Sequence, residues 1–293
     1  MAVQEQHARE LRLRLPYAVI AGIGGIALFA AAAMQAVGPQ PKVSELTLEL
    51  IVTNKRAALE VAGAVINGIG LLGVGLTLAF LSRAVQVRNP QTSQGTRIIA
   101  LVAAVVAAAG GIAYGVAITI KSHQFVTQGT QTYVQANDLV GGGALSVLQY
   151  LGLIGALGLA IAFVLVSLNA MRVGLLTKFL GYLGMVAAAA SLLLIGSAPA
   201  LLVEVFWMLA IAYLLSGRWS SEPEAWRAGK AIPWPSAAEM REQRQKSPAG
   251  RGNGRGKAAG RPPDKAGDAD KQPVTIVTRT RSSTPKRKRK RRK

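Results

Sequence analysis

The sequence predicts an all-α protein, a polytopic transmembrane helical bundle of about six spans with a disordered basic C-terminal tail. Three observations carry that expectation. The chain is 51% apolar over 293 residues, and its apolar residues come in runs of about 20 rather than in amphipathic stripes. Each run can cross a hydrocarbon core of roughly 30 Å at about 1.5 Å per helical residue. Gly and Pro fall between the runs. Finally, positions 217–293 hold 22 Lys and Arg against 7 acidic residues, which is +15 of the formal +20, so the charge belongs to the tail.

The first span, 17–37, follows Arg9, Arg12 and Arg14 and stops at Gly38-Pro39-Gln40-Pro41, through which a helix cannot continue. Its basic start and Ala-rich positions 30–33 also fit a signal peptide, although the run exceeds the usual apolar region of one. Further spans are expected at 61–81, 98–120, 142–168, 179–195 and 201–215. The fourth is longer than a perpendicular crossing needs, so it tilts or starts outside the hydrocarbon at Gly141-Gly142-Gly143. Gly196-Ser197-Ala198-Pro199 is so short that the last two spans must form a tight antiparallel hairpin. Gly111 with Gly115, and Gly152, Gly155 and Gly158, are small residues spaced to let helices approach closely, within the bundle or in a dimer.

Loop charge sets orientation, because Lys and Arg in short loops resist translocation. The N-terminus carries three arginines, the loop at 82–97 carries Arg83, Arg88 and Arg97 without an acid, and the next loop on that side carries Arg172 and Lys178. The alternate loops hold Lys42, Lys55 and Arg56 diluted by Glu45 and Glu49, then Lys121 alone, then no cation. Both termini are therefore expected to be cytoplasmic. The layout is a cytoplasmic N-terminus at 1–16, a six-helix domain at 17–216, a Trp/Pro segment with a short helix at 217–246, and a basic tail at 247–293.

Trp219, Trp226 and Trp234 are three of the four tryptophans and follow the last span directly, where amphipathic rings favour the headgroup layer. Ser236-Ala237-Ala238-Glu239 fits a capping box opening a helix to about Lys246. Beyond it the chain has too little apolar bulk to offset the entropy of ordering. Its last eight residues, Lys286, Arg287, Lys288, Arg289, Lys290, Arg291, Arg292 and Lys293, are all basic, and Gly250 to Lys257 forms an arginine-glycine segment upstream. Such a run attracts anionic lipid headgroups at about 1 kcal/mol per residue near a surface, or RNA through its phosphates. No aromatic residue interleaves it to stack on bases. A solvated tail with no partner is the third alternative.

Candidate chemistry inside the spans is sparse. Glu204, Asn67, Tyr114 and Gln149 lie on four different spans at a shared depth in the outer half. They fit either a small outward-facing polar pocket or a hydrogen-bonded packing network between helices. A P-loop fails at Arg251 and Ala258, and Gly22-Ile23-Gly24 lies inside a span with no strand before it. There is no cysteine, and the two histidines, His7 and His123, lie outside the spans. No HExxH or GxSxG pattern occurs, so no enzyme activity, cofactor or metal is expected.

The stretch Ser167-Leu168-Asn169-Ala170-Met171-Arg172-Val173-Gly174-Leu175-Leu176-Thr177 leads into Phe179-Leu180-Gly181-Tyr182-Leu183-Gly184. Together with Gly217-Arg218-Trp219, Ala225-Trp226 and Pro233-Trp234-Pro235-Ser236, it resembles uncharacterised six-helix integral membrane proteins of bacteria, of actinobacterial type. The resemblance implies a multi-pass protein of the bacterial plasma membrane and lends no catalytic residues. The functional expectation is a non-enzymatic membrane component whose basic tail engages an acidic partner at the cytoplasmic face. The alternative is a small-molecule transporter or ligand-binding membrane protein using the layer around Glu204.

Overall fold

A computed structural model describes residues 2–37, 45–193 and 198–235, with Glu239 and Arg241 beyond them. The basic tail, its terminal eight cations and most of the helix expected at 236–246 lie outside the described residues. Those residues form helices and no strand. In chain order they are α1 (Ala2–Ala36), α2 (Leu46–Lys55), α3 (Ala57–Arg88), α4 (Gly95–Thr127), α5 (Tyr133–Val140), α6 (Gly143–Arg172), α7 (Lys178–Leu193), α8 (Ala198–Leu215) and α9 (Glu224–Ala228).

Four of them, α1, α3, α4 and α6, are long and apolar enough to cross a membrane. All four extend past the apolar runs that mark them. The expected boundary at residue 16 falls inside α1, which continues through Pro16 towards the N-terminus. The hairpin helices are shorter: α7 has 16 residues and α8 has 18, or about 24 and 27 Å against a core of roughly 30 Å.

Neighbours in space follow a ring in which α8 lies beside α1, α1 beside α3, α3 beside α4, α4 beside α6, α6 beside α7 and α7 beside α8, with α3 also reaching α6. Small residues set the approach distances. A Cβ on Gly73 of α3 would stand 2.8 Å from Gly24 Cα of α1, one on Gly110 would stand 2.7 Å from the Gly152 nitrogen, and one on Gly155 would stand 2.6 Å from Ala107 Cα. Backbones this close gain dispersion contacts that larger side chains would prevent. Gly115 packs against Ala64 in the same way, whereas a Cβ on Gly111 would meet nothing within 4 Å. The core within the ring holds Leu78, Leu81, Leu180, Trp207, Met208 and Ile211. On the outer faces, Ile26, Val105, Ile154, Tyr182 and Phe206 are more than half exposed. An apolar exterior on this scale is suited to lipid.

Three short helices were not expected from hydrophobic periodicity, α9 after the last span and, at the other end of the bundle, α2 and α5. With the end of α4 the latter two enclose a small second core of Leu50, Phe125 and Ala136. The signal for α5 was present in Thr132 and Gln135: the Thr132 hydroxyl accepts from the Gln135 backbone N–H at 3.4 Å, while the Gln135 side chain accepts from the Gln131 N–H at 2.9 Å. At the same end of the bundle, α1 has no basic residue in its last turn. Arg56 supplies one from between α2 and α3, donating to Gln35 O at 3.1 Å and pairing with Glu60 at 2.8 Å.

Candidate functional site

The opposite end, where the basic loops lie, carries the most elaborate polar architecture. Residues 173–177 turn the chain from α6 into α7, and a turn leaves backbone carbonyls that need donors. The segment after α8 returns beneath the bundle to supply them. Trp226 Nε1 donates to Leu175 O and Trp234 Nε1 to Leu176 O, both at 2.8 Å. Ile232 N donates to Val173 O at 3.1 Å, and Lys178 Nζ donates to Pro235 O at 3.2 Å. Gly174 sits at φ +78°, where a Cβ would also strike the Ile232 carbonyl oxygen, so glycine is required twice over. The two stretches that carry the family resemblance thus meet as a turn and the strap that binds it.

This corrects the expected headgroup placement for Trp226. Trp226 is fully buried, Trp234 is 38% exposed, and Trp219 packs beside Tyr213 with ring centroids 5.6 Å apart. Each buried indole N–H finds a carbonyl, which removes the polar reason for it to remain at a wet surface. Trp207 follows the same rule, donating to Leu180 O at 3.0 Å.

Around Trp226 the strap organises four charged side chains from three parts of the chain. Arg88, at the end of α3, donates to Glu10 Oε1 of α1 at 2.8 Å and from Nε and Nη2 to Ala225 O at 3.1 and 3.0 Å. Arg14 of α1 pairs with Glu222 at 2.6 Å and donates to Leu214 O at 3.1 Å. Both guanidinium carbons lie over the Trp226 ring, at 4.6 Å for Arg14 and 5.2 Å for Arg88. Phe80 stacks beside that ring, and Tyr17 on Phe80. The buried Arg14 and Arg88 are each paired with a glutamate, and the exposed Arg227 also reaches Glu222, at 3.3 Å. That pairing limits the desolvation penalty of the buried charges.

Arg83 and Arg97 differ. Neither side chain has a hydrogen bond or ion pair among the described residues, and together they border a cleft of about 130 Å³ between α1, α3 and α4, with Tyr17 and Leu101 in its wall. A second cleft continues outward from it, sharing Arg97 and Leu101 and adding Gln86 and Gln94. On the far side of the turn, Arg172 and Lys178 border a third cleft with Tyr182 and Trp234.

The expected polar layer is not joined into one network. Glu204 accepts a hydrogen bond from the Ser191 hydroxyl of α7 at 3.3 Å. Its helix packs on α1 and α7, whereas Asn67, Tyr114 and Gln149 stand on α3, α4 and α6. Asn67 and Tyr114 are half-buried, Gln149 is exposed, and among the described residues no hydrogen bond links any of the four to another. The terminal cations Lys286 to Lys293 lie outside the described residues. No group of three metal-ligating side chains occurs among the described residues.

Glu10, Arg14, Glu222 and the role of Trp226 escape sequence reasoning because their partners are far apart in the chain, 78 residues for Arg88 with Glu10. Periodicity registers only local spacing. The chain matches no protein-family model, and neither curated proteins nor solved structures yield a match to it.

Proposed function

We propose that this is a six-span protein of a bacterial plasma membrane with both termini cytoplasmic, a non-enzymatic component whose basic tail engages an acidic partner, anionic lipid or RNA, at the inner face. The observation that carries this reading is the convergence of basic helix ends. Arg14 of α1, Arg88 of α3, Arg97 of α4, Arg172 of α6 and Lys178 of α7 all lie at the end that the strap after α8 closes. Cations concentrated at one end favour retention of that end on the cytoplasmic side. The exposed Tyr182, Val186, Phe206 and Leu209 favour lipid around the shorter α7 and α8 as well. Pro235, tied to Lys178, starts the route to the tail from the same cationic end. The bacterial location rests on the resemblance in the α6–α7 turn and the strap.

The chain lacks cysteine, so single cysteines report topology without background. Gln128→Cys and Leu193→Cys are expected to react with a membrane-impermeant maleimide on intact cells, and Ser93→Cys only after permeabilisation. Protection of Leu193→Cys in both conditions would reduce the crossing count to four. For the tail, deletion of 247–293 is expected to weaken binding to anionic liposomes or RNA strongly at moderate salt, with the residual affinity losing most of its salt dependence. Glu204→Gln is expected to leave that binding unchanged. Equal binding by the deleted chain would rule the tail out.

A further inference from the structure

We propose that the cleft between α1, α3 and α4 is a binding site for the phosphate headgroup of an anionic phospholipid, gripped by Arg83 and Arg97. The inference rests on the placement of the basic end at the inner leaflet, but not on the tail. Of the arginines that face one another across this end, Arg14 and Arg88 are neutralised by Glu222 and Glu10, and Arg83 and Arg97 are not neutralised by any acid among the described residues. The lining of their cleft contains no carboxylate, so two cations with unfilled donor capacity face a small cavity of about 130 Å³. Guanidinium forks match phosphate oxygens with paired donors.

The chemistry changes with depth in a way that selects lipid over a soluble anion. Gln86 and Gln94 border the outer cleft beside Ile98, where a headgroup's polar substituent would sit. Arg83 lies about a turn and a half further into α3 than Arg88, and Leu76 lies seven positions deeper again, about 10 Å along the helix. Leu76 and Leu101 form the inner wall, and Leu76 remains 38% exposed towards the outside of the bundle. Val102, one turn further into α4 than Ile98, is 56% exposed. A polar mouth, a cationic waist and an apolar wall open to the side form the sequence that a phospholipid presents from headgroup to acyl chain, and basic pockets between helices at the cytoplasmic side suit this ligand class. A free phosphate would use only the waist.

The test is retention of phosphatidylglycerol by the full-length protein through detergent exchange, quantified per protein. The comparisons are Arg83→Gln/Arg97→Gln and a second full-length variant with Lys286 to Lys293 changed to glutamine. Loss of two cations worth about 1 kcal/mol each corresponds to about thirtyfold weaker retention in the first variant, whereas the tail variant should retain the lipid as the parent does. The melting temperature without lipid should match the parent, since neither arginine has a partner to lose. Equal retention by the cleft variant, loss confined to the tail variant, equal retention of phosphatidylcholine, or displacement by millimolar inorganic phosphate would each overturn the assignment. The first two of these outcomes leave the tail proposal standing or strengthen it, so the two ideas fail separately.

Discussion

Trp226→Ala is expected to cost about 3–5 kcal/mol, the range for truncating a fully buried large aromatic side chain. The ring is completely enclosed, donates to Leu175 O, stacks beside Phe80 and lies under two guanidinium groups. Alanine would leave a cavity, an orphaned turn carbonyl and two arginines without their aromatic partner at once. Trp226→Phe keeps most of the volume and loses the N–H, so it should fall between, at about 1–3 kcal/mol for an unsatisfied buried acceptor. Unfolding midpoints of the purified protein in detergent give the order. A Trp226→Ala effect no larger than that of Trp219→Ala, at a partly exposed ring, would mean that the strap is not part of the cooperative fold.

Arg88→Met is expected to be as severe, at about 3–5 kcal/mol, because it breaks the buried ion pair with Glu10 and removes both donors to Ala225 O. Methionine keeps the apolar stem, so the loss reports charge and hydrogen bonding more than volume. In the Arg88→Met/Glu10→Gln double variant the two losses should fall short of their sum by about 1–3 kcal/mol, because both changes break the same ion pair. Strict additivity of the two changes would mean that Arg88 and Glu10 act independently, against the 2.8 Å contact between them.

The helices that cross or approach the membrane were legible because their signal is local. Runs such as 98–120 mark α4 whatever the rest of the chain does, and Gly152, Gly155 and Gly158 announced a close helix contact that the structure places against Ala103, Ala107 and Gly110. The strap was illegible for the converse reason. Trp226 has the composition of an interfacial residue, and only its distant partners, Leu175 O, Arg14 and Arg88, decide that it is buried. Glu204 stood out as an acid within an apolar run, yet a single hydroxyl on the adjacent helix, Ser191, answers it, a contact that depth alone does not select. Arg83 and Arg97 read as two more loop cations until the structure separates them from their neutralised neighbours.

The contact from Arg14 to Leu214 joins residues 200 positions apart, and this has a consequence in time. A chain emerging from the ribosome at about 5–20 residues per second leaves α1 in the membrane for about 10–40 s before its partner exists. During that interval α3, α4 and α6 can assemble with their sequence neighbours and Arg88 can meet Glu10, but Arg14 still lacks Leu214 and Glu222, and Arg88 lacks Ala225 O. The strap, among the last parts of the bundle to be made, therefore certifies a finished bundle: a product stopped before residue 222 leaves Arg14 without its glutamate and Arg88 without Ala225 O.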